Sequence, residues 1–143
     1  MYYQKIVLNL LSNNSKIFLV MKMSIKLLIA GSRGYTDYGE ACRYINKCLE
    51  SVSDSDIIVI SGGACGADML GERYAAENGY KIEKHLPDWK RYGRSAGIIR
   101  NREMVIEADL VIYFWDGESR GTRSTIEFSK RLGEKLRVIK VHR

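Results

Sequence analysis

From Ser24 onward the apolar positions of the chain fall into two alternating periods. Four short apolar runs, "IKLLIA", "DIIVI", "DLVIYFW" and "LRVIKV", have the length of strands and carry few polar residues, as strands buried on both faces do. A weaker run of the same length, "YKIEKH", reads as a further strand. Between these runs, apolar residues recur three and four positions apart. Over 37–51 they are Ala41, Tyr44, Ile45, Cys48 and Leu49, one face of a helix. Further helices are expected over 67–78, 98–108 and 122–132, the first and last of these stopped by Gly79 and Gly133. Segment 87–97 reads as a loop.

Strands alternating with helices predict an α/β fold: a Rossmann-like three-layer sandwich with a mainly parallel sheet of about five strands. In such sheets ligands bind beyond the carboxyl ends of the strands, where strand order reverses. The turns leaving the first, second and fourth strands all lie on that edge. They read "GSRGYTD", "SGGACGAD" and "DGESRGT", each rich in Gly and Ser, and two of them carry Arg.

At 143 residues the chain is one domain by size. Its first 22 residues, apolar in two bursts broken by Ser12, Asn13, Asn14 and Ser15, are too short in either burst to cross a bilayer. They carry no signal-peptide pattern, so 1–22 is expected to be an extension and 23–143 the domain. Twenty-three Lys and Arg against seventeen Asp and Glu give a net charge of +6, which favours an anionic partner without choosing one. Three cysteines in no C-x-x-C spacing argue against a disulfide framework and for a reducing cytoplasm. His85 and His142 lie far apart without ligand spacing, so neither a metal nor a cofactor is expected.

The glycines of "SGGACGAD" decide between a plain turn and a ligand cradle. Gly62, Gly63 and Gly66 have neither the dinucleotide fingerprint spacing nor the Lys-Ser/Thr of a Walker loop. Read plainly, the segment is a tight strand-to-helix turn with Asp68 placed favourably at the helix start. Read with its neighbours, two such turns open helices on one edge and present free backbone N–H groups to an anion. Gly31 closes the first strand, and Ser32 and Arg33 follow it. Arg33 is a surface arginine or a planar fork for phosphate. Arg100 and Asn101 are expected to open a helix whose end points at the same edge, and Arg33 and Arg100 to be removable without cost to the fold. Asp116 and Ser119 contact a sugar or stabilise their own turn, and Thr122 after Gly121 reads as a helix cap. Trp89 and Trp115 are read as core or rim packing rather than as stacking platforms.

Together "GSRGYTD", "SGGACGADMLGERYA", "DW…GRSAGIIRNREM" and "FWDGESRGTRSTIE" resemble the YspA-type, cpYpsA-related branch of the SLOG superfamily, in the right order and over the whole chain from Met23. The resemblance implies a Rossmann-like domain that binds a nucleotide or nucleotide-derived signal. The superfamily also holds the LOG phosphoribohydrolases and DNA-processing proteins of the DprA type. LOG enzymes pair an arginine before "M…AD" with "PGGxGTxxE". Here Arg100 precedes Met104 and Ala108-Asp109 by the matching step, and Gly121-Thr122 matches the glycine-threonine turn. Where those enzymes place their catalytic glutamate, this chain has Thr125, and Glu127 lies two positions on. A threonine cannot supply the carboxylate that glycosidic hydrolysis needs.

The resemblance and the residues thus predict a nucleotide binder, with Arg33, Gly62, Gly63, Gly66, Arg100, Gly121 and Thr122 around phosphate and Asp68 or Asp116 toward the sugar. A nucleotide N-glycosidase using Arg100, Asp68 and Glu127 is the alternative, and a DNA-processing module on the basic surface is the second. No membrane partner is expected, and a homodimer is left open.

Overall fold

The protein is described by a computed structural model covering residues 24–50, 52, 56–133 and 136–142. The segment 1–22, expected to be an extension, lies outside the described residues. Five strands form one all-parallel sheet: β1 (Ser24–Gly31), β2 (Asp56–Ser61), β3 (Lys81–Lys84), β4 (Leu110–Trp115) and β5 (Leu136–Lys140). The helices between them are α1 (Tyr38–Leu49), α2 (Ala67–Glu77), α3 (Trp89–Tyr92), α4 (Ala96–Glu107) and α5 (Arg120–Arg131).

Strand order is β3-β2-β1-β4-β5. The chain builds outward from β1 to β3, then returns to the far side of β1 and continues to β5. Strand order therefore reverses between β1 and β4, and the crevice expected of an open parallel sheet opens there, beyond Gly31 and Trp115.

Side chains of β1 alternate between two cores. Leu27 and Ile29 pack with Ala41 and Ile45 of α1 and with Ala67, Tyr74 and Ala75 of α2. Leu28 packs on the opposite face with Met104 and Val105 of α4 and Ile126 of α5. Both faces of β1 and β4 are covered, which is why these strands read as nearly unbroken apolar runs. The sheet is the middle layer of the three-layer sandwich that the pattern predicts.

Three sequence expectations are corrected. Segment 87–97 is not plain loop. Asp88 accepts a hydrogen bond from the Arg91 N–H at 3.0 Å and starts the single turn α3, and a 3₁₀ turn over Gly93–Ser95 follows. Helix α4 therefore begins at Ala96, so Arg100 and Asn101 sit one turn inside it rather than at its mouth. Thr122 is also inside its helix. The cap position of α5 belongs to Ser119, three residues earlier, because Asp116 gathers the backbone N–H groups of Glu118 and Ser119 at 2.9 and 2.8 Å and turns the chain there.

Candidate functional site

The reversal of strand order produces a cavity of about 390 Å³ at the carboxyl ends of β1 and β4, within the size range of small-molecule sites. Its floor is apolar: Leu28 and Ala30 of β1, Tyr113 of β4 and Met104 of α4. Ala30 and Tyr113 are register partners on adjacent strands, so a small residue beside a large one leaves the space open. Its rim is polar and comes from three turns and three helices.

The first and fourth turns are laced together through Ser32. The buried Ser32 hydroxyl oxygen accepts from the Asp116 N–H at 3.0 Å and from the Ser119 hydroxyl at 3.2 Å, and the Ser32 N–H donates to the Phe114 carbonyl at 2.8 Å. Asp116 accepts from its own turn with both carboxylate oxygens, since Ser119 Oγ also donates to Oδ2 at 3.2 Å. Asp116 is thus part of the rim and the brace of the turn at once.

Arg33 stands exposed on this rim and makes no hydrogen bond or ion pair among the described residues through its guanidinium. The first turn of α5, which brings Gly121 and Thr122 to the cavity wall, receives no side-chain cap, and the first N–H groups of a helix have no intrahelical partner. An exposed cation and the positive end of a twelve-residue helix both line one opening.

Arg100 has a different role from Arg33. It is buried at 9% exposure, and its Nη1 donates to the Gly62 carbonyl at 2.6 Å and to the His85 carbonyl at 3.3 Å. Its Nε donates to Asn101 Oδ1 at 2.8 Å. The arginine occupies the space a side chain at Gly62 would need: a Cβ there would lie 2.9 Å from Nη1 and 2.9 Å from Asp68 Oδ2. The expectation that Arg100 can be removed without cost to the fold is therefore corrected, because it clamps the β2 turn to α4. Burial lowers its affinity for its proton, and Asp68 opposes that effect.

Asp68 lies beside Arg100, buried at 6% exposure in the first turn of α2, and lines the cavity. Burial pushes its carboxyl up to about 6, against the hydrogen bond from the Ala64 N–H at 3.3 Å and the charge of Arg100. A carboxyl pushed up toward neutrality, between the cavity and a guanidinium, can accept from a ligand hydroxyl or trade a proton with it.

Of the residues singled out in the sequence, the structure brings Gly31, Arg33, Asp68, Arg100, Asn101, Asp116, Ser119, Gly121 and Thr122 to the cavity wall. Ser32, Gly62, Gly63 and Gly66 do not line the cavity, and Gly63 is exposed beside Leu86. Gly66, at φ +78°, packs against the first turn, where a Cβ would lie 2.4 Å from the carbonyl oxygens of Ser32 and Arg33. Glu127 is exposed on α5 and lines no part of the cavity, whereas Thr125 does line it and donates its hydroxyl to the Gly121 carbonyl at 2.9 Å. Sequence reasoning missed the floor, Leu28, Ala30, Met104 and Tyr113. Both faces of β1 and β4 are apolar, so no polarity pattern in the sequence marked it. Trp115 packs at the edge of the core and donates Nε1–H to the Ser119 carbonyl at 3.2 Å, while Trp89 is 58% exposed on α3.

One grouping was invisible in the sequence. Glu83, His85 and Glu107 bring their ligand atoms within 4.8 Å of one another. Lys26 Nζ already reaches Glu83 at 3.2 Å and Glu107 at 3.7 Å, so an ammonium supplies the cation there.

The comparisons agree with this architecture. The model of the YspA, cpYpsA-related SLOG family matches residues 25–92, the span holding the first two glycine turns. The gene 61 protein of Mycobacterium phage D29 is 34% identical over 114 residues, which is 76% of this chain and 90% of that protein. The chain belongs to the YspA, cpYpsA-related SLOG family. The X-ray structure of TM1055, a structural-genomics target, aligns with a TM-score of 0.53 at 19% identity over 81% of this chain and 72% of its own. That likeness concerns the fold, an α/β Rossmann-like sheet. Among the described residues no helix is long and apolar enough to cross a membrane.

Proposed function

We propose that this SLOG protein binds a nucleotide or nucleotide-derived small molecule in the cavity between β1 and β4, with phosphate at the rim and the sugar toward Asp68. Membership of the SLOG family supports a nucleotide-related role. The observation that carries the reading is that the Arg33 guanidinium, without a hydrogen-bond or ion-pair partner among the described residues, and the first turn of α5, without a side-chain cap, both line an opening whose floor is apolar. An anionic head on a less polar body matches that division.

Asp68 favours a second reading, hydrolysis of the bond between base and sugar, because its raised pKa suits proton transfer near neutrality. Against it, the helical position that faces the cavity is Thr125, and Glu127 is turned to solvent.

A panel of nucleoside mono-, di- and triphosphates, scored by thermal unfolding, tests the first reading. A compound present at a hundred times its Kd stabilises the native state by about 2.7 kcal/mol, a shift of several degrees. At least one compound should produce it. Arg33→Ala should weaken that compound roughly tenfold to a hundredfold, the worth of a charge-assisted hydrogen bond. Because Arg33 is exposed, the unliganded melt should stay within about 0.5 kcal/mol of wild type. A panel with no shift refutes the reading, and release of free base from any nucleoside monophosphate puts the second reading first.

A further inference from the structure

A second recess of about 200 Å³ adjoins the cavity, and the two share Asn101, Gly121 and Thr125 as a common wall. The recess runs between α4 and α5, with Ile98 and Phe128 as its apolar sides. Alone it falls below the size at which small-molecule sites are usually found, roughly 300–1,000 Å³. It shares three wall residues with the larger cavity, so one ligand lying over that wall can reach both spaces.

We propose that the natural ligand is a dinucleotide, two nucleosides joined through a phosphate bridge, with its second base in this recess. The inference rests on the reading of the main cavity as a nucleotide site. Three observations carry it. The boundary between the two spaces is low at Gly121, where an added Cβ would meet nothing within 4 Å, so a phosphate bridge can cross over bare backbone. Arg120 stands beside that crossing and makes no hydrogen bond or ion pair among the described residues, leaving its guanidinium for the bridging phosphate. At the far side, the Arg102 guanidinium lies 5.2 Å from the centroid of the Phe128 ring. The Arg131 guanidinium also lies over this ring, at 5.9 Å, so the face offered to a base is that of the planar Arg102 guanidinium, next to the exposed Ile98, on which a base stacks without sequence-specific contacts.

The size and polarity of the recess match one planar base better than a second phosphate. Its walls are mostly apolar, and the cations sit at its entrance and edge. Asn101 Nδ2 donates to Thr125 Oγ1 at 3.5 Å and closes the wall beneath the crossing, so a ligand passes over it rather than through it.

Calorimetric titration of the wild-type protein with the four 5′-nucleoside monophosphates, NAD+, diadenosine pyrophosphate and the linear dinucleotides pApA, pCpC, pGpG and pUpU provides the test. At least one dinucleotide should bind about tenfold or more tighter than the best monophosphate. Ser124→Trp, at an exposed position on α5 that lines only the recess, should remove that advantage and leave monophosphate affinity unchanged. Ile98→Asp, exposed on α4, should do the same by making the wall polar and charged. Dinucleotides that bind no tighter than monophosphates, or an advantage that survives both substitutions, overturn the inference while leaving the nucleotide reading intact. If nothing in the set binds, the nucleotide reading fails and this inference fails with it.

Discussion

Arg100→Ala should destabilise the unliganded protein by roughly 1–3 kcal/mol, the cost of leaving buried hydrogen-bond acceptors without their donor. Two losses add up. The carbonyls of Gly62 and His85 lose their donor, and the Asp68 carboxyl keeps its burial but loses its cation. The dependence on pH separates them. In the wild-type protein the Asp68 carboxyl titrates near 6, against 3.8 when unfolded. Between those values the native state holds the extra proton, so this group's contribution makes stability fall as pH rises through the window and then level off. A rise of about two pH units corresponds to about 3 kcal/mol. Arg100→Ala should push the carboxyl higher still and extend the fall past pH 7. Asp68→Asn should flatten the slope in either background. In urea unfolding, the double variant should therefore be less destabilised at pH 8 than the two single effects combined predict. Strict additivity would show that the two side chains do not act as a pair.

Gly31→Ala should be the most damaging single-methyl change in the protein. Gly31 ends β1 at φ +149°, in register with Phe114 of β4, and a Cβ there would lie 2.0 Å from the Phe114 carbonyl oxygen. That oxygen also accepts from the Ser32 N–H, so relief requires moving β1 away from β4 at the point where the crevice opens. Backbone strain together with broken inter-strand bonds should cost about 4 kcal/mol or more, a large part of the stability of an ordinary domain. Gly121→Ala is the contrasting case. It lies in α5 with nothing in the way of a Cβ, so its unfolding midpoint should rise slightly. Comparable midpoints for the two variants would mean that the β1–β4 junction is looser than described.

What the sequence revealed and what it hid have separate physical causes. The strands were legible because burial on both faces removes polar residues from them, and "DLVIYFW" and "IKLLIA" occupy the two strands that flank the crevice. The carboxyl-end turns could be assigned to one edge because parallel strands with crossover helices leave no other arrangement. The short helix α3 was hidden because the four residues after Asp88 bury no face and so leave no periodicity. The start of α4 was hidden for a related reason, since the 3₁₀ turn before it carries the exposed Arg94 and Ser95.

At the site, residue type was informative and residue role was not. Arg33 and Arg100 read alike in the sequence. Only the approach of α4 to the β2 turn, which fills the vacant side-chain space of Gly62, makes one a structural clamp and leaves the other at the rim. The glycines divide in the same way: Gly31 and Gly66 are required by contacts between turns, and Gly121 is open to whatever lies over α5. The floor of the cavity was unreadable because Leu28, Ala30 and Tyr113 differ from their neighbours only in which side of a strand they occupy.

The central claim is that a nucleotide sits at the carboxyl ends of β1 and β4. Amide chemical shifts of the 15N-labelled protein, followed while the best compound of the nucleotide panel is titrated in, test it most directly. The account predicts that the amides of Gly34, Gly121 and Thr122, all on the cavity wall, move together along one saturating curve, while Gly79 and Gly133, at the ends of α2 and α5 distant in the chain from those turns, stay in place. Saturable shifts confined to other residues, with Gly34, Gly121 and Thr122 unmoved, would contradict it.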